Sequence, residues 1–314
     1  MDVLDSFVAS STSRPYDVSM GGSVHVGTSG YSFNDWVGIV YPPTARPPEF
    51  LGYYARWFDT VEINATYYRI PPPQTFEAMR RKVGPDFLFT VKLPKEMTHE
   101  RDRASKALRP FLDAIAPVRA SQQLGGVLAQ FPTSFHPGNA AWDHIERITA
   151  PFVAAEIPIH VEFRHRDWYT EETITRLQER GVGFVNVDLP PLAGLPPPTH
   201  IATTDIAYYR LHGRNAKTWW RHPTPSDRYD YLYAAGELAT WAADVERVAA
   251  AAKTTFVFHN NCHLGQSVVN ALELHQRFGL ARPPLPPGAA AELLPPTLAE
   301  QILGLRARIA AARS

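Results

Sequence analysis

A single cysteine, Cys262, in a chain of 314 residues excludes an intrachain disulfide framework and any zinc site built from several thiolates. Excess charge is lacking too: 31 Lys and Arg balance 31 Asp and Glu, so the broad basic footprint of non-specific DNA binding is absent, although a local basic patch is compatible with that balance. No apolar run approaches the roughly 18 residues that a membrane-spanning helix needs. The first 22 residues lack the basic region and apolar stretch of a secretion signal. The cytoplasm is therefore the expected location, with no membrane partner. What is present is an ordinary globular balance, 45% apolar and 20% charged, and a high proline count of 29 that makes for stiff connections.

The ends differ from the body. Residues 1–22 carry no helical or strand periodicity and read as a mobile tail. From residue 281 the run ARPPLPPGAAAELLPP reads as an extended connector, because consecutive prolines cannot enter a helix interior. A short C-terminal helix follows. Thr297 and Glu300 have the spacing of a capping box, and Leu298, Ile302, Leu305 and Ile309 fall on one stripe. That stripe is expected to dock on its own domain; a homodimer contact through it is the alternative.

Between residues 23 and 280, eight short runs rich in Val, Ile and Phe are set off by Gly, Pro or Asp: VHVGT from Val24, DTVEIN from Asp59, FLFTVK from Phe87, GGVLAQF from Gly125, IHVEF from Ile159, GFVNVD from Gly183, IAYYRL from Ile206 and TFVFHN from Thr255. Stretches of helical periodicity separate most of them. Strand alternating with helix predicts a parallel sheet covered by helices, and eight such strands in one domain predict an α/β fold of the closed (β/α)8 TIM-barrel type. The doubly wound open sheet is disfavoured because Gly27-Thr28-Ser29-Gly30 lacks the glycine spacing of a dinucleotide-binding turn.

Successive strand residues point to opposite faces, so parity sorts the side chains. With the all-apolar parity packed against the helices, Glu62, Asn64, Lys92, Gln130, Glu162, Arg164, Asp188, Arg210, His212 and Asn260 point inward at the C-terminal ends of their strands. Barrel enzymes place their chemistry on that rim. A single buried charge there is as readily a structural ion pair, but repeated burial of charge is costly, and a shared polar pocket accounts for it more simply.

The stretches VGTSGYSFNDW, VEINATYYRIP, FTVKLPKEMTH, LAQFPTSF, VEFRHRDW and FHNNCHLGQSVVNA, spread over nearly the whole body, resemble the YecE-like family, also called domain of unknown function 72. The resemblance implies a TIM-type barrel related to sugar isomerases and supplies no demonstrated reaction. Tyr31 stands where the family more often has Trp, and Cys262 follows the Asn pair where Asp or Gly is more usual.

The inward groups suggest acid/base chemistry on a small polar substrate, sugar-like or anionic. Glu62 and Glu162 are the expected proton carriers, facing each other across the mouth, with Lys92 kept charged by them as an electrostatic clamp rather than a Schiff-base nucleophile. Asn64, Gln130, Arg164, Asp188, Arg210, His212 and Asn260 would bind the ligand. Glu62, Glu162, Asp188 and His212 are also of the types that hold Mg2+ or Mn2+, which would make a metal-dependent nuclease. The segment from Gly213 to Tyr233 mixes basic and aromatic residues without periodicity, as a ligand loop does. In it Trp219 is the candidate stacking residue, for a sugar ring or for single-stranded nucleic acid.

Overall fold

The computed structural model describes residues 22–224, 226–288 and 297–313; the tail assigned to residues 1–22 and the second half of the Pro-rich connector lie almost entirely outside them. Eight parallel strands form one sheet: β1 (Ser23–Thr28), β2 (Thr60–Ile63), β3 (Leu88–Lys92), β4 (Leu124–Gln130), β5 (Ile159–Glu162), β6 (Gly183–Asp188), β7 (Ile206–Leu211) and β8 (Thr254–His259). Their order runs β1-β8-β7-β6-β5-β4-β3-β2, and a parallel bridge between Ser29 and Glu62 brings the two ends together. The sheet is thus a nearly closed (β/α)8 barrel, as the eight runs predicted.

Helices cover the outside: α1 (Phe50–Tyr54), α2 (Pro73–Arg80), α3 (Lys95–Thr98), α4 (Ala104–Ala120), α5 (Asn139–Ala154), α6 (Glu171–Glu179), α7 (Ala235–Ala249) and α8 (Gln266–Arg277). The outward faces of the strands carry Val61, Val91, Val127, Val161 and Val257, all fully buried against this layer. Inside lies a second apolar cluster of Leu128, Val185, Val187, Tyr208, Phe256 and Phe258. That cluster plugs the barrel, so the polar residues above it can gather only at the strands' C-terminal ends.

Strand β6 departs from the predicted parity. Val185 and Val187 face the axis, and Asn186 and Asp188 face out. The cause is local: no helix separates β6 from β7, and the chain at residues 189–205 covers the outer face instead. Asn186 bonds the backbone of that segment, accepting from the Ile201 N–H and donating to its carbonyl, each at 2.8 Å. A polar outward face is therefore satisfied here, where a helix would have required an apolar one.

The last helix, α9 (Leu298–Arg313), begins with the predicted capping box: Thr297 Oγ1 accepts from the Glu300 N–H at 3.2 Å while the Glu300 carboxylate accepts from the Thr297 N–H at 3.0 Å. Its stripe of Ile302, Leu305 and Ile309 is buried as α9 packs on α8 of its own barrel, and Arg306 pairs with Glu273. Among the described residues no helix is long and apolar enough to cross a membrane.

Candidate active site

Seven strand ends deliver polar groups to one place. Parity along β7 turns Tyr208 and Arg210 inward, and the guanidinium of Arg210 lies between two carboxylates from distant strands. Its Nε donates to Glu62 Oε2 at 2.9 Å, its Nη2 to Glu62 Oε1 at 2.6 Å, and its Nη1 to Glu162. Glu62 also accepts from the Tyr208 hydroxyl at 2.7 Å and from the Asn64 amide at 3.0 Å. With that proton committed, Tyr208 accepts in turn from Thr90 at 2.9 Å. Four donors fill the acceptor positions of the Glu62 carboxylate.

Glu162 is held in the same way. Arg164 and Arg210 donate to its two oxygens, and His212 Nε2 lies 3.3 Å from Oε1. Burial would raise its pKa, but the two guanidiniums and His212 outweigh that and hold it well below the usual carboxylate range. His212 is itself fully buried and pushed down to about 3 by burial and then by Arg164, so it is neutral. Its Nδ1 accepts from the Asn260 amide at 2.8 Å, which leaves the proton on Nε2 facing Glu162.

A cavity of about 650 Å³ opens above this layer, lined among others by Ser29, Asn64, Tyr67, Lys92, Gln130, Arg164, Arg210, Arg228, Tyr229 and Asn260. Lys92 comes from the end of β3. Its Nζ donates to Gln130 Oε1 at 2.7 Å and sits 4.4 Å above the centre of the Tyr67 ring. The Gln130 amide nitrogen is tied to the Phe131 carbonyl at 2.7 Å, which fixes the oxygen toward Lys92. Burial, and next the neighbouring charge of Arg210, push the Lys92 amine down to about 7, against the opposing pull of Glu162. The glutamates do not hold Lys92 fully charged as the sequence suggested, because burial, and after it Arg210, outweighs their pull. Asp35, the one carboxylate in the lining, accepts the Leu264 N–H at 2.8 Å. The charged side chains that line the cavity are thus mostly cationic, with Glu62 and Glu162 pairing Arg210 and Arg164 from beneath.

The structure therefore brings together Asn64, Lys92, Gln130, Arg164, Arg210 and Asn260 as lining groups, with Glu62, Glu162 and His212 buried directly beneath them. Two predicted residues fall elsewhere. Asp188 faces outward, where both oxygens accept from Arg214 Nε at 2.9 Å and one accepts from the Tyr233 hydroxyl at 2.5 Å. Trp219 is 2% exposed and belongs to the apolar plug, so its ring offers no stacking face. Glu62, Glu162, Asp188 and His212 consequently do not converge on a common cation; an arginine occupies the place between the two glutamates. Ser29, Arg228 and Tyr229 were not singled out in the sequence. Tyr229 and Arg228 arrive on the segment after β7, where the left-handed backbone of Gly213 (φ 84°) turns the chain; a Cβ there would meet the Tyr231 Cβ at 2.7 Å.

Fold and site together define a (β/α)8 barrel with a cationic, amide-lined cavity at its C-terminal mouth. The model for the protein of unknown function DUF72 matches residues 25–293, and the chain belongs to that family. It is 27% identical to UPF0759 protein YunF of Bacillus subtilis over 80% of this chain and 93% of that protein. UPF0759 protein YecE of Escherichia coli K12 is 27% identical over 54% of this chain and 60% of its own length. A solved DUF72 family protein from Thermotoga maritima superposes with a TM-score of 0.75 at 41% identity, covering 82% of this chain and 99% of that one.

Proposed function

We propose that the barrel is an acid/base enzyme acting on a small anionic, polar substrate, with Lys92 as the proton carrier. The observation that supports this most directly is the Lys92 amine, pushed down to about 7, opening on a cavity that arginines and amides also line. An amine that is half protonated near neutral pH takes and returns a proton with the least loss of driving force. Glu162 is held too far below the neutral range to serve as an acid, and every acceptor position of Glu62 is taken. The two glutamates then hold Arg210 rigid beneath the cavity, and Arg164 at its wall binds a carboxylate or phosphate group of the substrate. Asn64, Gln130 and Asn260 orient its hydroxyl or carbonyl groups.

Calorimetric titration with inorganic phosphate and with small phosphorylated or carboxylated sugars tests the binding half. Saturable binding lost in Arg164→Gln is expected, and equal affinity for neutral sugars would overturn it. The catalytic half is read by nuclear magnetic resonance, as deuterium uptake from heavy water into the bound compound. Uptake should cease in Lys92→Gln while binding persists.

A second reading, a barrel that holds single-stranded nucleic acid without turnover, draws on the exposed rings of Tyr68 and Trp220, 76% and 54% accessible. Salt-dependent oligonucleotide binding that is lost in Trp220→Ala would favour it.

A further inference from the structure

Outside the barrel mouth, three side chains have the composition and spacing of a metal site. His136 follows β4, and His165 and Asp167 follow the adjacent β5. His136 Nδ1 and His165 Nδ1 each lie 3.2 Å from Asp167 Oδ2, and one ligating atom from each residue falls within 4.8 Å of the others. An ion with tetrahedral bonds of about 2.0–2.1 Å spaces its ligand atoms roughly 3.3 Å apart. We propose that His136, His165 and Asp167 bind a divalent transition-metal ion of the zinc type.

The hydrogen bonding at His165 supports the assignment. The Asp167 backbone N–H donates to His165 Nδ1 at 3.3 Å, so that nitrogen is unprotonated, and an ion bound there would displace this long bond. A carboxylate oxygen of the same residue faces it at 3.2 Å. A cation between these two electron-rich atoms would turn their repulsion into two ligand bonds. The two imidazole rings, 4.2 Å apart between centroids, converge on this point from different loops.

The loops are already held in register. Trp168, next to Asp167 and buried, donates from Nε1 to the carbonyl of Phe135, next to His136, at 2.6 Å, and the two rings stack at 5.3 Å. Ligand positions fixed in this way lose little conformational freedom on binding an ion. Two imidazoles and one carboxylate select zinc-like ions over Mg2+, which requires an oxygen cage. The half-exposed side chains of His136 (52%) and Asp167 (50%) leave the remaining coordination positions to water. Arg164, which lines the cavity, directly precedes His165, so a bound ion would stiffen the chain beside the anion-binding group.

Calorimetric titration of the untagged full chain with Zn2+, paired with Co2+ titration followed by visible absorption, tests the site. Saturation at one ion per chain is expected, with the intense cobalt bands of a four- or five-coordinate site. His136→Gln and Asp167→Asn, both at the surface, should each lower affinity roughly tenfold or more while the circular dichroism spectrum is preserved. Uptake that fails to saturate, a cobalt spectrum of the hydrated ion, or an affinity unchanged in the His136→Gln/Asp167→Asn double variant would each overturn the proposal. Anion binding at the barrel mouth is measured separately, so failure of this site leaves the proposed function standing.

Discussion

Arg210 binds Glu62 with two nitrogens, Nε to Oε2 at 2.9 Å and Nη2 to Oε1 at 2.6 Å, across a barrel in which the two residues stand 148 positions apart in sequence. Its third donor goes to Glu162. The geometry is a fork closed on one carboxylate and bridged to a second, buried at the floor of the cavity.

Removal of Arg210 alone should therefore be severe. Arg210→Met leaves the buried carboxylate of Glu62 without a cationic partner and Glu162 with Arg164 alone, and a loss of roughly 3–5 kcal/mol in urea unfolding is expected. The double variant Glu62→Leu/Arg210→Met should unfold at higher urea than the single one, because Glu62 is then no longer stranded while Glu162 keeps Arg164. Equal or lower stability of the double variant would contradict the clamp.

Lys92 should be distinguishable from surface lysines by its titration. A lysine is acylated only when unprotonated, and burial together with Arg210 brings Lys92 down to about 7. Acetic anhydride labelling across a pH series, read residue by residue by mass spectrometry, should give Lys92 a midpoint near neutrality. Lys253, raised by its pairing with Asp205, supplies the alkaline reference in the same sample. Co-titration of the two lysines would remove the proposed proton carrier.

Buried neutral histidines predict a steep loss of stability in mild acid. Burial holds His160 at about 4 and both His212 and His259 at about 3, whereas each titrates near 6.5 in an unfolded chain. Folded values below unfolded ones mean that the contribution is complete above about pH 6.5 and is lost as the pH falls, since the unfolded chain binds protons that the folded one refuses. Three such groups give a slope of roughly 4 kcal/mol per pH unit near pH 5. Denaturant titrations from pH 6.5 to 5 measure it, and a flat profile would refute the assignment of neutral buried imidazoles.

Asp188 separates a ligand-binding role from a structural one. Its carboxylate holds Arg214 and Tyr233 on the outside of the barrel. Asp188→Asn should cost about 1–3 kcal/mol of stability through the weakened bonds to Arg214 and leave phosphate affinity unchanged. A selective loss of phosphate affinity without destabilisation would return Asp188 to the site.

The direction of the side chains was legible in the sequence where parity and the covering layer agreed. Asn64, Lys92, Gln130, Arg164, Arg210 and Asn260 lie on or just after strands whose other face meets the apolar outer layer, so their direction follows from alternation. Alternation gives two faces without saying which meets the axis, and β6 reversed because the segment at residues 189–205 offers its backbone as a partner to Asn186. Trp219 and the exposed Trp220 are neighbours of identical type, and only packing against the inner plug distinguishes them.

The periodicity of the chain determined the eight strands, the class of barrel they close into and the capping of the last helix, because those depend on neighbours a few residues away. Tertiary structure decided which charges neutralise one another. Residues 62, 162 and 210 acquire their bonding from distances across the barrel, and Coulomb interactions and desolvation depend on those distances rather than on separation along the chain. The same holds for Lys92, whose low proton affinity is a property of the closed sheet around it.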